Sequence, residues 1–81
     1  MKIKCLKDEV VQYLEKHQLE KRFEKAKKLF EKDIQYPSLH VELLEPKHLK
    51  VYSFRIDKKY RAIFIIVDGE AEIVSVTNHY K

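Results

Sequence analysis

Two arginines and a histidine–tyrosine pair carry the chemistry legible in this chain. Arg55 and Arg61 stand among apolar residues in Ser53-Phe54-Arg55-Ile56 and Tyr60-Arg61-Ala62-Ile63-Phe64, and His79-Tyr80 lies in the terminal run Thr77-Asn78-His79-Tyr80-Lys81. An arginine fork matches the oxygens of a phosphate, often through two parallel hydrogen bonds. One well-placed group of this kind, facing charge that develops in a transition state, contributes about 3–4 kcal/mol. Histidine, with an unperturbed pKa of about 6.5, takes up and releases a proton near neutral pH. Tyrosine stacks on a base or hydrogen-bonds a phosphate. The combination points to chemistry on a phosphodiester. With RNA as substrate the nucleophile can be the substrate's own 2′-hydroxyl, and a protein that works this way needs no metal, no cofactor and no nucleophilic side chain.

These residues depend on the elements that hold them. From Lys50 onward the apolar period is two, the signature of strands. Tyr52, Phe54 and Ile56 alternate with Val51, Ser53, Arg55 and Asp57; Tyr60, Ala62, Phe64 and Ile66 alternate with Arg61, Ile63, Ile65 and Val67. Asp68-Gly69 is a hairpin turn signal, and a last strand runs from about Glu70 to Thr77. A three-residue loop at Asp57–Lys59 puts Tyr52, Phe54, Ile56, Tyr60, Ala62, Phe64 and Ile66 on one face, to pack on helices. Ser53, Arg55 and Arg61 then share the other face, and Ser75, Thr77 and His79 alternate onto it while Val74 and Val76 point away. A two-residue loop would move Arg61 to the face of Phe54 and bury it without an evident partner, so it is disfavoured.

Upstream, Val10, Val11 and Leu14 recur at helical spacing after Asp8, a candidate N-cap or first-turn acid. Leu19, Phe23, Ala26 and Phe30 mark a second helix, about 19–33, with Lys21, Lys25, Lys28 and Lys32 opposite that face. No Gly or Pro marks the break between the two. Pro37 ends the helical region. Leu39–Leu44 reads as a loop or a short extended piece, Glu45-Pro46-Lys47 as a turn, and residues 2–5 as a possible short strand at the sheet edge. The predicted fold class is α+β: two N-terminal helices on a twisted antiparallel sheet built from a C-terminal three-stranded meander.

Composition sets the bounds. A chain of 81 residues, 44% hydrophobic with nine aromatics, builds one core, so 1–81 reads as a single domain. Ala62–Val67 is the longest apolar run, far short of a membrane span. The N-terminal segment has charges but no apolar h-region and does not read as a signal peptide. Cys5 stands alone, which excludes an internal disulfide framework and fits a reducing, cytoplasmic compartment; it reads as a small buried hydrophobe. His17, His40, His48 and Cys5 have no metal-ligand spacing. The net charge of +4 suits an anionic partner without requiring one. Each feature also has an ordinary reading: strand arginines and helix lysines are often merely solvated, and terminal residues are often frayed.

Lys27-Lys28-Leu29-Phe30, Tyr36-Pro37-Ser38-Leu39, Tyr52-Ser53-Phe54-Arg55-Ile56, Tyr60-Arg61-Ala62-Ile63-Phe64 and Asn78-His79-Tyr80 occur in an order and spacing that resembles the RelE/ParE superfamily of toxins from bacterial toxin–antitoxin modules. The resemblance covers nearly the whole chain. It implies two helices on an antiparallel sheet, and a toxin held inactive by a cognate antitoxin. Many members cleave mRNA in the ribosomal A site; the ParE type inhibits DNA gyrase instead. By position, Arg61 matches the arginine that contacts the scissile phosphate and Arg55 a basic position on the preceding strand. His79-Tyr80 resembles the C-terminal pair of the YoeB-like nucleases, which serves proton transfer and substrate positioning. There are departures. Ser53 stands where some RelE-type nucleases carry a lysine. The glutamate that serves YoeB-like members as general base has no ungapped match, although Glu42 and Glu45 are nearby; His48 and Lys50 are further basic candidates for substrate binding. The resemblance thus implies a ribosome-dependent mRNA endonuclease. The alternatives it leaves are a ParE-like gyrase inhibitor and a degenerate member that only binds.

Overall fold

Gln18 separates the helices although it is neither Gly nor Pro. In the computed structural model, which describes residues 1–78, it adopts the left-handed conformation (φ 56°) just past α1, Asp8–Lys16. The Gln18 N–H donates to the Glu15 carbonyl at 3.1 Å and the Leu19 N–H to the Leu14 carbonyl at 2.8 Å. This pair of bonds is a Schellman closure, and it places the buried Leu14 and Leu19 together. Asp8 is the first residue of α1, where its carboxylate favours the positive end of the helix dipole; Lys7 is the cap. α2 follows at Glu20–Lys32 and buries Phe23, Ala26 and Phe30, the face set out by the sequence pattern.

Four antiparallel strands form one sheet in the order β1-β2-β3-β4: Glu42–Leu43, Tyr52–Arg55, Arg61–Val67 and Glu70–Thr77. The meander is as predicted. The Leu39–Leu44 segment divides between a single 3-10 turn at Pro37–Leu39 and β1, which adds a fourth strand. The N-terminal segment reaches the far edge as one parallel bridge, Ile3 beside Ala71, closed by Lys4 N–H to Ala71 O and Ala71 N–H to Lys2 O, both 2.8 Å. The Glu31 carboxylate on α2 accepts the Ile3 N–H at 2.9 Å, so helix and edge are tied together.

The helices cover one sheet face. Phe30 packs on Phe54 and Phe64, with ring centroids 5.0 and 5.2 Å away, and Phe23 lies 6.2 Å from Phe54. Such aromatic pairs contribute about 0.5–1.5 kcal/mol each beyond their burial. At the end of α1, Tyr13, His17 and Tyr60 cluster, with the Tyr60 hydroxyl 3.2 Å from His17 Nδ1.

Three side chains depart from the predicted burial. The β3–β4 register slips between Ile63 and Phe64, so Val74 is an extra residue in β4 and is exposed, while Ile73 and Val76 both point into the core. Ile66 keeps the pleat phase of Phe64 but is 43% exposed, because it lies at the turn end of β3. Cys5 is exposed, not buried, on the segment leading from the edge bridge to α1. Among the described residues no helix is long and apolar enough to cross a membrane.

Candidate active site

The position of the arginines is set by the β2–β3 turn. Asp57 Oδ1 accepts the N–H groups of Lys59 and Tyr60, each at 2.8 Å, and the Ile56 N–H donates to the Tyr60 carbonyl at 2.9 Å. The loop is therefore Asp57–Lys59, three residues, and the register pairs Arg55 with Arg61 and Phe54 with Ala62. Paired residues in an antiparallel ladder share a face. Ser53, Arg55 and Arg61 accordingly lie on the side of the sheet away from Phe54. Thr77, directly opposite Arg61 on β4, and Glu42, directly opposite Ser53 on β1, join them.

That face is not open at Arg61. Ser53 is fully buried and Arg61 only 4% exposed. Arg61 Nε donates to Ser53 Oγ at 2.9 Å, and Nη2 donates to the His40 carbonyl and, at 3.4 Å, to the Ser53 carbonyl. His40 is left-handed (φ 45°) and follows the Pro37–Leu39 turn, so this segment folds over the sheet and aims a carbonyl at the guanidinium. Arg55, its cross-strand neighbour, is exposed. Two like charges directly opposite repel; the inward course of Arg61 and the outward course of Arg55 separate them. An open cleft of about 490 Å³ lies beside the covering segment, lined by residues that include Tyr36, Pro37, His40 and Val41.

The other sequence candidates fall into three groups. Glu42 is on the same face, one strand over from Ser53. Glu45, His48 and Lys50 are exposed in the β1–β2 connection, which closes with Leu44 N–H to Val51 O at 2.8 Å. Lys50 precedes Arg55 by five residues, about 16 Å at strand rise, so these three occupy the opposite end of β2 from the arginine pair. His79 and Tyr80 lie outside the described residues. Sequence reasoning missed the acceptor role of His40, because a backbone carbonyl carries no signature of its own. Tyr13, beside the base of β3, titrates above the ordinary tyrosine value, held up by burial and then by the neighbouring Tyr60. Among the described residues no group of His, Cys, Asp and Glu is arranged to hold a metal.

No protein-family model matches the chain. Over 43 residues it is 42% identical to an uncharacterized protein of Haemophilus influenzae; the match takes in 53% of this chain and 43% of that protein, so the chain spans less than half the length of the curated relative it matches. Solved structures share the fold over nearly the full length. The YoeB–YefM complex from Staphylococcus aureus superimposes with a TM-score of 0.69 at 19% identity, covering 99% of this chain and 98% of the other. The YoeB dimer from the same organism gives 0.64 at 20% identity, covering 98% and 94%. The chain has the YoeB fold. The likeness takes in 99% of the chain, and with it the sheet that carries the paired arginines. A heterotetrameric YoeB–YefM toxin–antitoxin complex from S. aureus gives a TM-score of 0.59 at 20% identity.

Proposed function

We propose that this chain is the toxin of a toxin–antitoxin module and acts as a ribosome-dependent mRNA endonuclease in the cytoplasm, restrained by a cognate antitoxin. The observation that carries the reading is the Arg55–Arg61 pair, opposite each other on the sheet face that also holds Glu42 and Thr77. His79 follows Thr77 by two residues in the sequence. Likeness over the full length to YoeB structures, some solved with an antitoxin, supports the reading.

In this mechanism Glu42 accepts the proton of the 2′-hydroxyl. That oxygen attacks the adjacent phosphorus, forming the P–O2′ bond as the P–O5′ bond breaks. His79 gives a proton to the leaving 5′-oxygen, and Tyr80 positions the base or phosphate. The product is a 2′,3′-cyclic phosphate, which water opens to a 3′-phosphate. Arg55, the exposed member of the pair, makes the direct phosphate contact. Arg61 adds positive charge beneath it and braces the Ser53 and His40 backbone. A fixed donor of this kind matters most where charge develops in the transition state, and its loss slows the chemical step about 10²–10³-fold.

Primer-extension mapping of mRNA in a purified translation reaction tests the proposal. Wild type cuts only when ribosomes are present, and Arg55→Ala and His79→Ala cut at least a hundredfold more slowly. Folded wild type that leaves the mRNA intact would sink the nuclease reading, and gyrase would be the next target to assay.

A further inference from the structure

The β2–β3 turn meets α2 along a second cleft, of about 360 Å³. Four cations line it: Arg22 and Lys25 from α2, Arg55 from β2 and Lys58 from the turn. All four are exposed. The one carboxylate there, Asp57, is already engaged. Its Oδ1 holds two turn N–H groups, and its Oδ2 lies 3.6 Å from Arg22 Nη1. Among the described residues no ion pair neutralises Lys25, Arg55 or Lys58.

The cations have a common origin in the helix repeat. Positions 22, 25, 26 and 29 lie on one stripe of α2, so Arg22 and Lys25 rise above Ala26 and Leu29 on the side that faces the turn. Part of the cleft floor is sealed: Ala26, Leu39 and Ile56 are 5%, 1% and 8% exposed. Leu29 is half-buried and leaves some apolar surface between them. Above that floor the cleft presents four cations. That suits a densely charged chain better than an amphipathic peptide, which needs an apolar groove to anchor it.

We infer that this cleft is a backbone-phosphate subsite for single-stranded RNA. It takes the phosphates next to the scissile one, and Arg55 is shared between cleft and sheet face. This deepens the nuclease reading and rests on it. The cleft is a binding element that contacts no reacting atom, so its loss weakens RNA binding and leaves the chemical step of bound substrate unchanged.

The test compares wild type with Lys25→Gln/Lys58→Gln and with the control Lys21→Gln/Lys28→Gln. The control removes the same charge from exposed α2 lysines outside the cleft. The probe is a fluorescent oligouridylate, titrated over a range of salt concentrations. Each single-strand phosphate contact adds about 0.7 to the slope of log K against log salt, so the cleft variant loses about 1.4 from the slope and roughly tenfold or more in affinity at 0.1 M salt. The control loses much less. Equal losses in both variants would show a general charge effect and overturn the inference. So would displacement of the RNA by polyglutamate as readily as by unlabelled RNA, or a wild type with no measurable RNA affinity. The translation assay keeps the two proposals apart. A wild type that cuts mRNA, with a cleft variant equal to it in oligouridylate binding, refutes the cleft alone. A wild type that never cuts refutes the nuclease, and the salt slopes still decide whether the cleft holds phosphate.

Discussion

Removing one hydroxyl, Ser53→Ala, tests the arginine arrangement. Ser53 is fully buried and its Oγ accepts from Arg61 Nε at 2.9 Å. In the variant that donor faces a methyl group in a space closed to water. A hydrogen bond to a charged group is worth about 1.5–3 kcal/mol, and a buried charged donor left without its partner costs at least that much. In a domain of this size each kcal/mol lowers the melting temperature by about 4–8 °C, so Ser53→Ala should melt about 6–24 °C below wild type. Arg61→Ala should cost more, about 3–5 kcal/mol, because it strips the partner from the Ser53 hydroxyl and the His40 carbonyl together. The two residues touch, so their effects should not add. A double-mutant cycle by urea unfolding should return a coupling of about 1–3 kcal/mol. A Ser53→Ala protein within about 0.5 kcal/mol of wild type, the range of ordinary surface changes, would refute the burial argument.

Other perturbations follow from the fold. Gln18→Gly should stabilise the protein by about 0.5–1 kcal/mol, since glycine adopts the left-handed cap without a Cβ clash; a lower urea midpoint would contradict the Schellman closure. Glu31→Ala should free the edge bridge, and the Lys4 and Ala71 amides should exchange roughly tenfold faster, consistent with losing about 1.4 kcal/mol of local stability. The phenol of Tyr13 has a folded pKa raised above the unfolded value of 10.0, so its contribution is complete below pH 10.0 and is lost as pH rises through the folded pKa. Unfolding measured above pH 10.0 should therefore show wild type losing stability more steeply than Tyr13→Phe, and parallel curves would argue against the partly desolvated phenol.

What was legible in the sequence was mostly local. Alternation from Lys50 onward showed which side chains share a face, and the Asp57 loop and Asp68-Gly69 turn gave the β2–β3 pairing with Arg55 opposite Arg61. The rest depended on tertiary contacts or on backbone conformations open to many residue types. Gln18 and His40 are left-handed, yet neither residue type announces it. The Val74 bulge inserts a residue into a strand whose composition stays β-like, so simple alternation assigned Val74 to the core. Alternation puts Arg61 on the side of the sheet where it lies, but its covering segment is made by the Pro37–Leu39 turn, distant in sequence, where Pro37 signals only the end of the helical region. Glu42 was one of two nearby acids without an ungapped match; it lies on the arginine face because β1 pairs with β2.

The central claim is that the substrate's own 2′-hydroxyl cuts the RNA. Once the cleavage point is mapped, the direct measurement is a translation complex programmed with mRNA carrying a single 2′-deoxynucleotide on the 5′ side of that bond. The account predicts that cleavage there disappears while uptake of the message by the ribosome is unchanged, and that the all-ribose message yields a 2′,3′-cyclic phosphate or 3′-phosphate end. Cleavage of the deoxy-substituted message at the normal rate, or a product bearing a 5′-phosphate and a 3′-hydroxyl, would contradict it.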